Sequence, residues 1–302
     1  MKQVLVLIGL GLMVFWLRGC GSGGDEGAVI DGKVSVVVSI DPQAYFVERV
    51  GGEYVTCAVM APPGSSPHTY EPTPQQMVKL GGASIYFSIG LPFEQMLLEN
   101  IKSTHKKLKI VDTRAGITLR QMEAAHEHEA AGEVHMHEAG EPDPHIWLDP
   151  MLVQQQAQTM ATALIEVDPG HKEAYQSNLA SFEADLEAVH KEIEAILAPL
   201  HGQKFLVYHP AFGYFGDRYG LVQEAVEIGG KEASPRQLTE LIAEAKADKV
   251  KVIFVQTQFP VNSAKAVAAE IGGVVVPLDP LARDYLGNLR SMAKALQEGI
   301  RQ

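Results

Sequence analysis

Cysteine is almost absent from this chain of 302 residues, with Cys20 and Cys57 the only two. That scarcity excludes a scaffold stapled by several disulfides and a zinc site built on thiolates. Positive charge is also in short supply: 25 Lys plus Arg stand against 37 Asp plus Glu, a formal net charge of −12, and no basic stripe is interleaved with aromatics. Nucleic acid is therefore not an expected partner. Neither a helical HExxH pair nor a GxxxxGK[ST] loop occurs, so a zinc-protease site is not expected and any energy for transport must come from another subunit. What is present is ample apolar material, 46% of residues against 21% charged, enough to bury a sizeable core.

The amino terminus reads as an address and not as a fold. Lys2 precedes a 14-residue apolar run, residues 4–17. As a helix such a run reaches roughly 21 Å, short of the ~30 Å hydrocarbon core, so residues 1–19 are read as an export signal peptide. The sequence Leu17-Arg18-Gly19-Cys20 resembles a bacterial lipoprotein cleavage box, from which Arg18 departs. The resemblance implies lipidation at Cys20, a membrane held by lipid anchor, and a periplasmic or cell-surface location. Cys57 is then the only thiol of the mature chain. The glycine-rich, acidic stretch that follows makes residues 20–32 a flexible lipidated tether.

From residue 33 the pattern alternates. Short β-branched runs at 34–40, 55–60, 85–88 and 109–111 read as strands, with helical patterns starting at Pro42, Thr73 and Phe93. The same grammar restarts with strands at 205–208, 224–228, 252–256 and 274–277 and helices from Pro235, Asn262 and Asp284. Strand alternating with helix means parallel sheets covered on both faces. The fold class is accordingly α/β, with two parallel-sheet lobes at 33–167 and 201–302. Between them Asp168-Pro169 reads as a helix start, and Tyr175, Leu179, Phe182, Leu186, Val189, Ile193 and Leu197 recur at helical spacing without an internal Gly or Pro. This predicts one long rigid helix over 168–200, a stiff connector packed along both lobes; a coiled-coil seam is the alternative.

Four residues sit where such sheets bind ligands, beyond the carboxyl ends of strands or in loops that prolines keep irregular. His209 follows the strand at 205–208, Asp279 follows 274–277, His68 lies in the loop APPGSSPHTYEP, and His145 lies in PDPHIWLDP. A lone histidine is most often a satisfied structural residue; four metal-capable side chains, two from each lobe, point to a shared site in the cleft. His105, His171, His190 and His201 carry no such context and are read as structural or exposed.

The motifs PHTYEPTP (67–74), DPHIWLDP (143–150), YHPAFGYF (208–215) and LDPLA (278–282), in this order and with a long-helix signature between the second and third, resemble the metal-specific substrate-binding lipoproteins of bacterial ABC importers, solute-binding protein family 9, in its zinc branch. The resemblance runs from about residue 34 to 302. It implies a metal held by His68, His145, His209 and Asp279 between two lobes, delivery to an ABC permease membrane subunit, a monomer, and no enzymatic activity.

The chemistry of those residues agrees with that implication. Three imidazoles and a carboxylate suit tetrahedral Zn2+ as the transported ligand, and four protein ligands leave no open position for a catalytic water. Manganese- and iron-reading relatives tend to carry Glu where this chain has His209, and harder oxygen ligands favour those ions, so manganese or iron(II) is the alternative cargo. A zinc-dependent hydrolase and a surface adhesin with structural metal are the alternatives of other classes. Glu71 is a possible extra ligand, or a plain hydrogen-bond acceptor in its loop. The tract 123–141, EAAHEHEAAGEVHMHEAGE, sets His126, His128, His135 and His137 among six Glu and reads as a His-rich loop binding metal weakly. Since imidazole binds metal only when neutral, affinity is expected to fall below about pH 6.5.

Overall fold

The structure is a computed structural model that describes residues 29–30, 32–122, 142–228, 231–232, 235–259 and 261–301. The leader 1–19, Cys20 with most of the tether, and the tract 123–141 with His126, His128, His135 and His137 lie outside the described residues.

The first lobe runs β1 (Val29–Ile30), β2 (Lys33–Val38), α1 (Asp41–Gly51), β3 (Val55–Val59), α2 (Pro74–Gly81), β4 (Ile85–Ser88), α3 (Pro92–Thr104) and β5 (Lys109–Asp112). Strand β2 pairs in parallel with β3 and β4, and β4 with β5; only β1 is antiparallel, folding back so that Val29 faces Val34. The end of the span read as a tether thus contributes an edge strand: Val29 and Ile30 are apolar, and Gly32 takes the positive φ of +78° that the reversal needs.

Two helices follow. α4 (Pro150–Val167) was not foreseen, and α5 (Lys172–Leu197) is the long helix expected over 168–200. Asp168 does not cap α5. It heads a single 3-10 turn, Pro169–His171, and its Oδ2 takes the Tyr175 hydroxyl at 2.7 Å and lies 2.7 Å from His171 Nδ1. A further 3-10 turn, Ala198–Leu200, ends the segment. α5 packs on α1, α4 and the helix Tyr285–Ile300 of its own chain, which answers the coiled-coil alternative.

The second lobe contains β6 (Lys204–Val207), α6 (Gly213–Tyr219), β7 (Val222–Ala225), β8 (Glu227–Ile228), β9 (Lys231–Glu232), α7 (Pro235–Ala247), β10 (Val252–Gln256), α8 (Val261–Ile271), β11 (Val274–Leu278) and α9 (Tyr285–Ile300). Its sheet is parallel in the order β11-β10-β6-β7, and β8 and β9 form a separate antiparallel pair. Strand β10 shows how alternation builds two cores from one strand. Ile253 and Val255 join Val267 and Ile271 of α8 on one face, while Val252 and Phe254 join the larger core on the other.

That larger core is continuous across both lobes. Val36 and Phe46 of the first lobe, Phe182 and Leu186 of α5, and Phe205, Phe254, Leu289 and Leu296 of the second belong to one buried cluster. The rings of Phe46 and Tyr285 meet edge to face at 4.8 Å, and Arg283 reaches Asp41 at 2.9 Å. The lobes are therefore fused along their backs and separate only at the carboxyl ends of their strands. No helix among the described residues is long and apolar enough to cross a membrane.

Candidate metal centre

His68, His145 and His209 come together at the open end of the cleft. Their Nε2 atoms lie 3.1 Å (His68 to His145), 3.1 Å (His68 to His209) and 3.4 Å (His145 to His209) apart. They are the one group of three or more potential ligands that converges among the described residues. Asp279, the fourth residue expected, does not join that group; its Oδ1 accepts from Gln258 Nε2 at 2.8 Å and from the Leu281 amide at 3.0 Å. Glu71 is exposed and also stands outside the group.

Each ring is positioned by its own element. His209 lies two residues past β6, where the parallel registers of β6 with β7 and β10 bring Glu227 and Gln256 alongside. Gln256 grips the His209 backbone on both sides, its Oε1 accepting from the amide at 3.2 Å and its Nε2 donating to the carbonyl at 2.5 Å. Glu227 Oε2 lies 2.5 Å from His209 Nδ1, and Phe259 stacks on the ring at 4.8 Å. His145 precedes a 3-10 turn, Ile146–Leu148, and Asp143 Oδ1 takes both its amide at 2.9 Å and its Nδ1 at 2.7 Å. His68 sits in the loop between β3 and α2, which Gln76 ties back to the Met60 carbonyl at 2.6 Å. His145 and His209 are 2% and 4% exposed, whereas His68 is half-buried.

The two carboxylates determine what the rings can do. Each accepts the proton of a neutral imidazole at Nδ1, which leaves Nε2 a bare lone pair. Burial opposes the charge on Asp143, but His145 and Arg120 outweigh it and hold the carboxyl below the ordinary range. Two lone pairs, on His145 and His209, consequently face each other across 3.4 Å, an arrangement that a cation between them relieves. A tetrahedral zinc with bonds of about 2.0–2.1 Å needs donor separations of about 3.3–3.4 Å, close to the spacing found. The cleft around the rings is small, and its walls include Pro67, Trp147, Ala211, Phe259, Pro280 and Leu281.

Burial pushes the His68 imidazole down to about 2, reinforced by His145 and His209 beside it. His209 is also lowered by burial, against the upward pull of Glu227. His68 therefore stays neutral through the range in which free imidazole titrates, and His209 resists protonation more than a free imidazole does. Metal affinity is expected to fall less steeply between about pH 6.5 and 5 than the roughly three logarithmic units per pH unit that three ordinary imidazoles lose. The sign for folding is separate. A histidine lowered in the folded state contributes stability above its unfolded value of about 6.5 and loses it as pH falls below, so the metal-free protein should melt at lower temperature from that pH downward. Chelator competition and thermal melts over this range measure both; a three-proton slope in affinity would contradict the buried geometry.

The sequence reading named the three imidazoles but not the groups that orient them. Asp143 lies in the same segment as His145, and its spacing of two from that ring is the available signal. Glu227 and Gln256 have none, because only strand register brings them to the site.

A family model described as zinc-uptake complex component A, periplasmic (ZnuA) matches residues 36–299. The high-affinity zinc uptake system protein ZnuA of Bacillus subtilis (strain 168) is 28% identical over 269 residues, covering 87% of this chain and 83% of its own. The iron ABC transporter substrate-binding lipoprotein MtsA of Streptococcus pyogenes serotype M1 is 28% identical over 282 residues, with 90% and 87% covered. Among solved structures, a crystal structure of ZnuA is 42% identical with a TM-score of 0.81, covering 89% of this chain and 99% of that one. The laminin-binding protein of Streptococcus agalactiae, described as bifunctional with adhesin and metal transporting activity, is 25% identical with a TM-score of 0.78, covering 89% and 99%. With the family pattern running through both lobes and the whole of the connecting helix, this chain belongs to the ZnuA family of periplasmic zinc-uptake substrate-binding proteins.

Proposed function

We propose that this protein captures Zn2+ outside the cytoplasm and delivers it to the membrane permease of an ABC importer, acting as a monomer tethered by a lipid on Cys20. The observation that carries this reading is the triangle of Nε2 atoms, spaced for zinc, two of them on rings whose Nδ1 is held by Asp143 and Glu227. His68, His145 and His209 supply three ligands. Asp279 supplies the fourth through Oδ2, its Oδ1 being already engaged by Gln258 and Leu281. His126, His128, His135 and His137 serve as weaker secondary sites.

Three features favour binding over hydrolysis. Beyond the ligand set, no carboxylate, tyrosine or lysine lines the cleft among the described residues, so none stands beside the ion as a general base. Four ligands fill a tetrahedron, and the cleft is too small to seat an ester or peptide beside the ion. A metal needed only to hold the fold is not required here, because the shared core is continuous without it.

Metal-stripped protein is expected to keep its circular dichroism spectrum and to take up one zinc tightly in chelator competition, with manganese competing poorly. Unfolding on stripping would favour a structural metal. Tighter retention of manganese than of zinc would reassign the cargo.

A further inference from the structure

The segment that carries His145 belongs to the first lobe by its place in the chain, but most of its side-chain hydrogen bonds run to the second. At one end the Tyr214 hydroxyl of α6 donates to the Asp143 carbonyl at 3.0 Å. In the middle Trp147 Nε1 donates to the Pro280 carbonyl at 2.8 Å, and the Tyr285 hydroxyl returns a bond to the Trp147 carbonyl at 2.7 Å. At the other end Arg218 of α6 grips the Asp149 carboxylate, with Nε 3.0 Å from Oδ1 and 2.9 Å from Oδ2 and Nη2 2.7 Å from Oδ2. Asp149 is 4% exposed and also caps α4 through the Met151 amide at 2.8 Å.

α6 begins four residues after His209, so the helix holding both ends of the His145 segment is the one anchored beside the second imidazole. His145 and His209 consequently ride on one body. His68 has no comparable tie; apart from the contacts among the three imidazoles, the hydrogen bonds of its loop among the described residues stay within the first lobe, from Thr69 to Ser66 and from Gln76 to Met60. Mechanically the three imidazoles divide two to one, and the pair is the part made before cargo arrives.

We propose that Arg218 is a positioning residue for metal binding: its grip on Asp149 holds the turn that starts at His145 in register with His209, so that the two lone pairs form a ready half-site. Arginine suits this role because its planar fork meets a carboxylate at two points and fixes direction as well as distance. The proposal rests on His145 being a ligand, and its test separates the two ideas.

The variants are Arg218→Gln and Asp149→Asn; the second retains a competent helix cap while weakening the ion pair, and decides the matter should the first fail to fold. Each is expected to weaken zinc binding about tenfold, the lower end of what loss of a ligand's outer partner costs. The effect of Arg218→Gln should persist in a His68→Ala background and vanish in a His145→Ala background, because it acts through His145 alone. Arg290→Gln is the control: it breaks the Arg290–Glu192 pair between α9 and α5, neither of which lines the cleft, and should leave affinity unchanged. Unaltered affinity in both clasp variants, or equal losses in the two histidine backgrounds, would overturn the role of Arg218. Wild-type affinity in His145→Ala alone would instead overturn the ligand assignment beneath it.

Discussion

Alanine in place of His68, His145 or His209 should weaken zinc binding by more than about 100-fold each, since losing only the outer partner of a ligating histidine costs about 10- to 100-fold. The three variants should differ in stability, and the difference follows from what each ring leaves behind. His68 is half-buried and has no carboxylate at Nδ1, so its removal takes one nitrogen out of a crowded triangle and should leave the melting temperature of the metal-free protein unchanged or higher. His209→Ala leaves Glu227, 8% exposed, without its ring partner. A buried polar acceptor so stranded costs about 1–3 kcal/mol, and a charged one more. His145→Ala falls between, because Asp143 keeps the residue 145 amide at 2.9 Å and Arg120 Nη1 at 3.2 Å. Chelator competition gives the affinities and thermal melts of stripped protein give the order; wild-type affinity in any variant removes that residue from the site.

How far the sequence could be read depends on which physical signal a feature leaves in it. Strands buried on both faces announce themselves as β-branched runs, and the readings at 85–88 and 252–256 coincide with β4 and β10. Helix starts marked by proline were also legible, as at Pro74 after Thr73 and at Pro235. α4 escaped because the segment 143–150 was read for its histidine, although Asp149 followed by Pro150 is the same cap-and-proline signal. His209 could be placed because position after a strand is a local property. Its neighbours Glu227 and Gln256 could not, because they stand 18 and 47 residues away and reach it only when Val207 pairs with Ala225 and with Phe254. The three converging imidazoles, and Asp143 beside His145, were thus readable from single segments, whereas Glu227 and Gln256 depend on pairing between segments.

The same dependence governs selectivity, for which the decisive exchange is His209→Glu. It replaces one nitrogen with a carboxylate and should move the ratio of zinc to manganese dissociation constants by at least about tenfold toward manganese, because oxygen donors and higher coordination suit the harder ion. Zinc can remain the tighter ligand in absolute terms, since the general affinity order of divalent ions puts manganese lowest, and so the ratio is the quantity to measure. The structure adds a complication that the ligand set alone does not show. Glu227 now bonds the ring at 2.5 Å, and a carboxylate at 209 would face it with like charge in a site that is almost wholly buried. One of the two acids should then hold a proton, weakening both metals and making binding improve as pH rises. Adding Glu227→Gln replaces the opposing charge with an amide that can donate to the new carboxylate. The double variant should therefore recover affinity for both ions while keeping the altered ratio. A ratio unchanged in both variants would show that position 209 does not set selectivity, and the preference for zinc would then have to come from the remaining two imidazoles and the shape of the cleft.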